Sequence, residues 1–178
     1  QLKDYCGGND SKTKTYRAPR DSSTFTPLHL AVGDASIRGG LDVTVPLELI
    51  TPMTGQMFYP FSFFVSYNPA CLEFKTATLP SASLINGVPV TVTPMPNGVF
   101  VQTMAGKLIT GNGPLMNLTF KALNPVDTTC CQVDILDPAF EQGCLLPIVA
   151  PGEICVYPYV PSPWLSCDID GPRTLIWD

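Results

Sequence analysis

The stretch 61-FSFFVSYNPACLEF-74 decides the fold. Phe61, Phe63, Val65 and Tyr67 alternate with Ser62, Phe64 and Ser66, the period-two pattern of a strand with one face in a core and the other turned outward. Asn68-Pro69 stops that strand, because asparagine favours turns and proline has no N–H for a sheet ladder. Alternation resumes with Leu72 and Phe74 set against Glu73 and Lys75. A strand, a corner and a second strand make a repeating unit of two-sheet sandwiches. Phe64 departs from this pattern: it is an aromatic residue on a face where the strand otherwise carries serine.

The same period runs along the chain on both sides. Leu28, Leu30 and Val32 alternate with His29 and Ala31, and Val43, Val45, Leu47 and Leu49 alternate with Asp42, Thr44, Pro46 and Glu48. Pro46 places that second strand at a sheet edge or at a bulge. Val88, Val90 and Val92 form a further set, and Asn97-Gly98 before Val99 and Val101 signals a hairpin. In 115-LMNLTFKA-122, Met116, Leu118 and Phe120 share a face, which turns Asn117 and Thr119 outward. QVDIL at 132–136 is another strand, and residues 145–160 hold one or two more, interrupted by Pro147, Pro151 and Pro158. No window shows a capped helical period. Short strands separated by turn signals every eight to twelve residues predict an all-β sandwich or barrel.

Composition agrees with that class. The 178 residues suit one domain with a sizeable core. The chain is 45% hydrophobic, too apolar for a disordered segment. Only 14% of residues are charged and 19 are proline, a balance that fits an extracellular β protein better than a cytosolic enzyme. A net charge of −5 argues against nucleic acid as a partner, since phosphate binding needs a basic patch. No apolar run reaches the length that spans a bilayer.

The chain divides into a polar N-terminal arm over residues 1–24, a sandwich domain over 25–160 and a Pro-rich tail over 161–178. The arm has Lys3, Lys12, Lys14, Arg17 and Arg20 against Asp4, Asp10 and Asp21. Residues 122–178 have Arg173 alone against Asp127, Asp134, Asp137, Glu141, Glu153, Asp168, Asp170 and Asp178. Solvated surface charge is the first reading of this asymmetry, and attraction between the basic head of one molecule and the acidic rear of another is the alternative.

Seven cysteines, Cys6, Cys71, Cys130, Cys131, Cys144, Cys155 and Cys167, include no CxxC pair, so they read as disulfide partners in an oxidising compartment rather than as zinc ligands. Cys130 and Cys131 are adjacent and point to opposite faces of an extended chain, which gives them different partners. An odd count leaves one thiol free or linked to another chain. Gln1 stands where an initiator Met would be, which reads as a secreted chain whose signal peptide has been removed. Asn9-Asp-Ser and Asn117-Leu-Thr are sequons and candidate glycosylation sites.

Catalytic chemistry finds little support. His29, the single histidine, sits in a strand with no nucleophile motif near it and reads as an exposed strand residue. No pair of carboxylates is nominated by spacing for acid–base work. Asp168-x-Asp170-Gly171 resembles part of a calcium loop, but the twelfth position falls on Trp177, so a turn held by Asp side chains is the better reading. Trp164, Trp177, Tyr157, Tyr159, Phe58 and Tyr59 read as packing residues ahead of sugar-stacking ones. No cofactor and no metal are expected.

FSFFVSYNPACLEF, preceded by LDVTVPLELIT and followed by GPLMNLTFKAL, resembles three blocks of the cohesin family in the same order, with related carbohydrate-binding sandwich modules showing similar strands. The resemblance covers roughly residues 28–137 and implies an immunoglobulin-like jelly-roll β-sandwich of about nine strands. In that family a sheet face docks a partner protein, the dockerin, or the module serves in cell-surface attachment. By resemblance, Ser62, Phe64 and Ser66 lie on or near such a face. The cysteines, the arm and the tail depart from the family pattern.

The sequence therefore predicts a secreted, non-catalytic structural or adhesive subunit at the cell surface. Its expected partners are protein, foremost copies of itself, with glycans as a further class. Strand exchange in a filament is one route to assembly, with Thr174, Leu175, Ile176 and Trp177 as the candidate donor segment, or alternatively the basic arm. The alternatives are a cohesin-type module for a distinct protein and a carbohydrate-binding module.

Overall fold

The computed structural model describes residues 26–58, 60–96, 98–140 and 145–160. They form eleven strands: β1 Thr26–Val32, β2 Ala35–Arg38, β3 Asp42–Phe58, β4 Phe61–Tyr67, β5 Leu72–Thr78, β6 Val90–Met95, β7 Gly98–Thr103, β8 Lys107–Ala122, β9 Thr129–Phe140, β10 Leu145–Ala150 and β11 Gly152–Tyr157. Two sheets result, one of five strands in the order β10-β1-β3-β8-β5 and one of six in the order β2-β11-β9-β4-β7-β6. The count exceeds the expected nine. β2 is a four-residue strand between glycines with no long alternation to announce it. Pro151 divides the segment after residue 144 into β10 in one sheet and β11 in the other.

The core lies between the sheets. Leu28, Leu30, Val45, Leu47, Leu118 and Phe120 from the five-stranded sheet meet Phe63, Val65, Val101, Val133 and Ile154 from the six-stranded one, all at 3% exposure or less. Phe61, Phe63 and Val65 of the opening strand are buried as their alternation requires, and Tyr67 is half-buried. Edge-on contacts of Phe120 with Tyr67 and Phe74, at centroid distances of 5.3 and 5.6 Å, fill the core near the corner. Among the described residues every buried polar side-chain atom has a hydrogen-bond partner.

The Asn68-Pro69 corner carries the chain from one sheet to the other. The Asn68 side-chain oxygen accepts from the Ala70 N–H at 3.0 Å, and its carbonyl accepts from the N–H groups of Cys71 and Leu72 at 3.0 Å each. This is the asparagine-held turn that the dipeptide predicts. Cys71, next to the corner, is bonded to Cys131 of β9, so a buried disulfide ties the two sheets together there.

Pro46 is not in an edge strand. β3 is central, between β1 and β8, and a register shift follows directly between Leu47 and Glu48. Proline is accommodated because β1 ends at Val32, opposite Leu47. At the next step the Pro46 carbonyl accepts from Gly33 N–H at 2.8 Å, and no ladder N–H is required of Pro46.

Among the described residues, all four edge strands are blunted. β2 has four residues, and β10 contains Pro147. β6 contains Pro94, and β5 has a register shift between Phe74 and Thr76 beside a Glu73–Lys75 ion pair at 2.7 Å. Short length, proline, bulges and charge are the means by which sheet edges avoid pairing with other chains.

Candidate protein-binding face

The outer face of the six-stranded sheet is assembled by register. On β4, burial of Phe61, Phe63 and Val65 sends Ser62, Phe64 and Ser66 outward. Phe64 stands opposite Phe100 of β7 on one side and Leu136 of β9 on the other. Thr93 of β6 stands opposite Phe100. One row thus reads Thr93, Phe100, Phe64, Leu136, with an apolar centre: Phe64 and Phe100 are half-buried and Leu136 is 41% exposed.

The flanking rows are mostly small or polar, with Met95, 50% exposed, as their one large apolar member. On one side lie Met95, Gly98, Ser66 and Asp134, and on the other Thr91, Gln102, Ser62 and Ala139. Asp134 is the single charge in these three rows, and its carboxylate accepts from the Ile135 N–H at 2.8 Å. A face with a three-residue apolar centre, flanking rows of small, hydroxyl and amide residues with Met95 among them, and almost no charge has the anatomy of a protein interface, which is depleted in charge at its centre.

Phe64 is held in place by the backbone beside it. A Cβ built on Gly98 would stand 2.5 Å from Phe64 Cζ and 2.7 Å from Cε1, so the ring lies over the glycine. Gly98 opens β7 opposite Met95 and is needed for this close approach. β6 and β7 pair antiparallel, as the hairpin expectation requires, with Gly98 inside β7.

Phe100 and Leu136 were not among the residues that the sequence nominated. Both sit at outward parity, Phe100 between buried Val99 and Val101 and Leu136 after buried Val133 and Ile135. They share with Phe64 the one signal that identifies the row, an apolar residue where alternation calls for a polar one.

Cys130 and Cys131 have different partners. Cys131 faces inward to Cys71, and Cys130 faces outward to Cys155, directly opposite on β11. Ligand atoms of Cys130, Cys155 and Glu153 lie within 4.8 Å of one another, but both sulfurs are bonded to each other and one carboxylate remains, which does not hold a metal. Cys6, Cys144, Cys167, Asn9 and the segment Thr174, Leu175, Ile176 and Trp177 lie outside the described residues, as do Trp164 and the Asp168–Asp170 turn.

The remaining chemistry is sparse. His29 is exposed on β1, and its backbone N–H donates to Thr51 Oγ1 at 2.8 Å. A cleft of about 310 Å³ opens between edge strands β5 and β6, lined by Tyr67, Phe74, Val92 and Met95 among others, with no carboxylate or histidine for acid–base work. Among the described residues no helix is long and apolar enough to cross a membrane.

No protein-family model matches this chain, and no curated protein matches it. Solved structures do. A non-cellulosomal cohesin from the archaeon Archaeoglobus fulgidus superposes with a TM-score of 0.61 at 15% identity, over 74% of this chain and 91% of that one. This chain is a cohesin-like β-sandwich. The sixth cohesin of Acetivibrio cellulolyticus scaffoldin B, solved in complex with a dockerin, matches the sandwich with a TM-score of 0.60 at 21% identity, over 72% of this chain and 98% of that one. The seventh ScaB type I cohesin of Pseudobacteroides cellulosolvens gives 0.63 at 14% identity, over 77% and 97%. The cohesin-like sandwich therefore spans nearly the whole of each of these modules.

Proposed function

We propose that this chain is a non-catalytic protein–protein interaction module that docks a protein partner on the outer face of its six-stranded sheet. The observation that carries this reading is the row Phe100, Phe64, Leu136, three apolar residues from three strands, flanked by rows that are small or polar but for the exposed Met95. Aromatic anchors at the centre of a polar rim are where binding energy concentrates. The dockerin complex of the Acetivibrio cellulolyticus cohesin supports a protein as the partner class.

Two disulfides support an extracellular or cell-surface setting. Within that setting the partner is a second copy of the chain or a distinct secreted protein. The blunted edges of β2, β5, β6 and β10 favour docking through the face over strand addition at an edge, so a filament built by strand exchange is the less supported form of assembly. The arm over 1–24 and the tail over 161–178 belong to this reading as extensions of the sandwich.

The test is retention of partners from the source's secreted proteins on immobilised chain, with a second immobilised sample carrying Phe64→Asp. A protein, or the chain itself, held by the first and weakened at least about tenfold by the substitution supports the reading. Equal retention by both samples overturns it.

A further inference from the structure

We propose that Asn117 is the acceptor of an N-linked oligosaccharide, displayed on the outer face of the five-stranded sheet. Asn117-Leu118-Thr119 lies in β8, where Met116, Leu118 and Phe120 are fully buried. That parity sends Asn117 and Thr119 to the same outward face, two residues apart. A sequon whose asparagine or hydroxyl residue faced the core would leave a glycosylated chain unable to close its sandwich. Here the buried member is Leu118, which takes no part in the modification.

The cross-strand neighbours of Asn117 and Thr119 are short residues. It stands opposite Pro46 on β3 and Thr78 on β5, and Thr119 stands opposite Thr44 and Thr76. These four cross-strand neighbours carry short side chains, and Asn117 itself is half-buried among them. The Thr119 hydroxyl is 2.9 Å from that of Thr44, an exposed contact on the same face. The opposite sheet differs: its outer centre is the aromatic row that a bulky glycan would cover.

In the modification, the Asn117 side-chain nitrogen bonds to the anomeric carbon of an oligosaccharide carried on a lipid diphosphate. The carbon–oxygen bond to the diphosphate breaks, and one amide proton leaves with the lipid diphosphate. The acceptor chain passes through the membrane on its way to the oxidising compartment that the disulfides call for. The inference does not rest on the binding face, and its failure would leave that reading untouched.

Trypsin cuts after Lys107 and Lys121 and releases residues 108–121, which hold this sequon and not that of Asn9. Chain purified from its source is digested, treated with an N-glycosidase in heavy-oxygen water and sequenced by mass spectrometry, with a mock treatment to correct for spontaneous deamidation at Asn112-Gly113. The expected result is peptide 108–121 carrying an oligosaccharide mass before treatment and a heavy-oxygen aspartate at position 117 after it. Asn117→Gln and Thr119→Ala abolish the modification, whereas Thr119→Ser keeps it because the hydroxyl remains. Recovery of 108–121 wholly unmodified from folded, secreted chain overturns the proposal.

Discussion

The ring of Phe64 lies over Gly98 of the neighbouring strand, at a distance where any Cβ on Gly98 would overlap it. The added Cβ would also press on the Val65 carbonyl oxygen of β4. Two constraints thus act on one glycine, a side chain above and a backbone group beside it.

Gly98→Ala is expected to destabilise the fold by about 1–3 kcal/mol, the usual cost of forcing atoms into filled space. Phe64→Ala should relieve only the part due to the ring, because the Val65 carbonyl stays. The double variant should therefore be less destabilised than the sum of the single ones, though still below the parent. Denaturant unfolding of the four proteins measures this. Strict additivity would show that the ring and the glycine are not in contact.

The two disulfides should differ in their resistance to reduction. Cys71–Cys131 is buried and joins the sheets across a separation of 60 residues. Cys130–Cys155 is at the surface, between strands already paired by their ladder, with a separation of 25. Access governs thiol attack, so a mild dithiol reductant should open Cys130–Cys155 first. Differential alkylation followed by mass spectrometry reads the order directly. Replacing Cys71 and Cys131 together by Ala should cost about 4 kcal/mol by the loop-closure argument, the larger loss of the two.

Glu73 and Lys75 form an exposed pair at 2.7 Å. The Lys75 hydrogen bond and charge, with a smaller contribution from Lys121, hold the Glu73 carboxyl below its ordinary range. A lowered folded value means that the pair stabilises the fold above the carboxyl's unfolded value, and that this contribution disappears as pH falls through the folded value. Lys75→Met should raise the Glu73 pKa toward the ordinary value, as followed by carboxyl NMR titration, with little change in melting temperature because exposed pairs are screened. A Glu73 titration unchanged by the substitution would contradict the assignment of cause.

Local alternation made the strands legible. β1, β4 and the inner halves of β3, β8 and β9 could be read from their apolar parity, because each has one face in the core. β2 could not, since its four residues are placed by parallel pairing with β11, far along the chain. The later half of β3 was equally silent, because register shifts after Leu49 and Met53 break its period. At the binding face, Ser62, Phe64 and Ser66 were within reach of the sequence because they share one strand. Phe100 and Leu136 join Phe64 only through register between distant strands, which parity alone does not give.

The central claim is that a partner covers the row Phe100, Phe64, Leu136. Hydroxyl-radical footprinting of the chain, alone and with the partner it retains, tests this most directly, because it reports side-chain access residue by residue. Ile50, Leu146 and Ile148 are exposed on strands of the other sheet and serve as internal references. Oxidation of Phe64, Phe100 and Leu136 is predicted to fall several-fold on binding while the three references stay unchanged. Protection of Ile50, Leu146 and Ile148, with Phe64, Phe100 and Leu136 oxidised as before, would contradict the account.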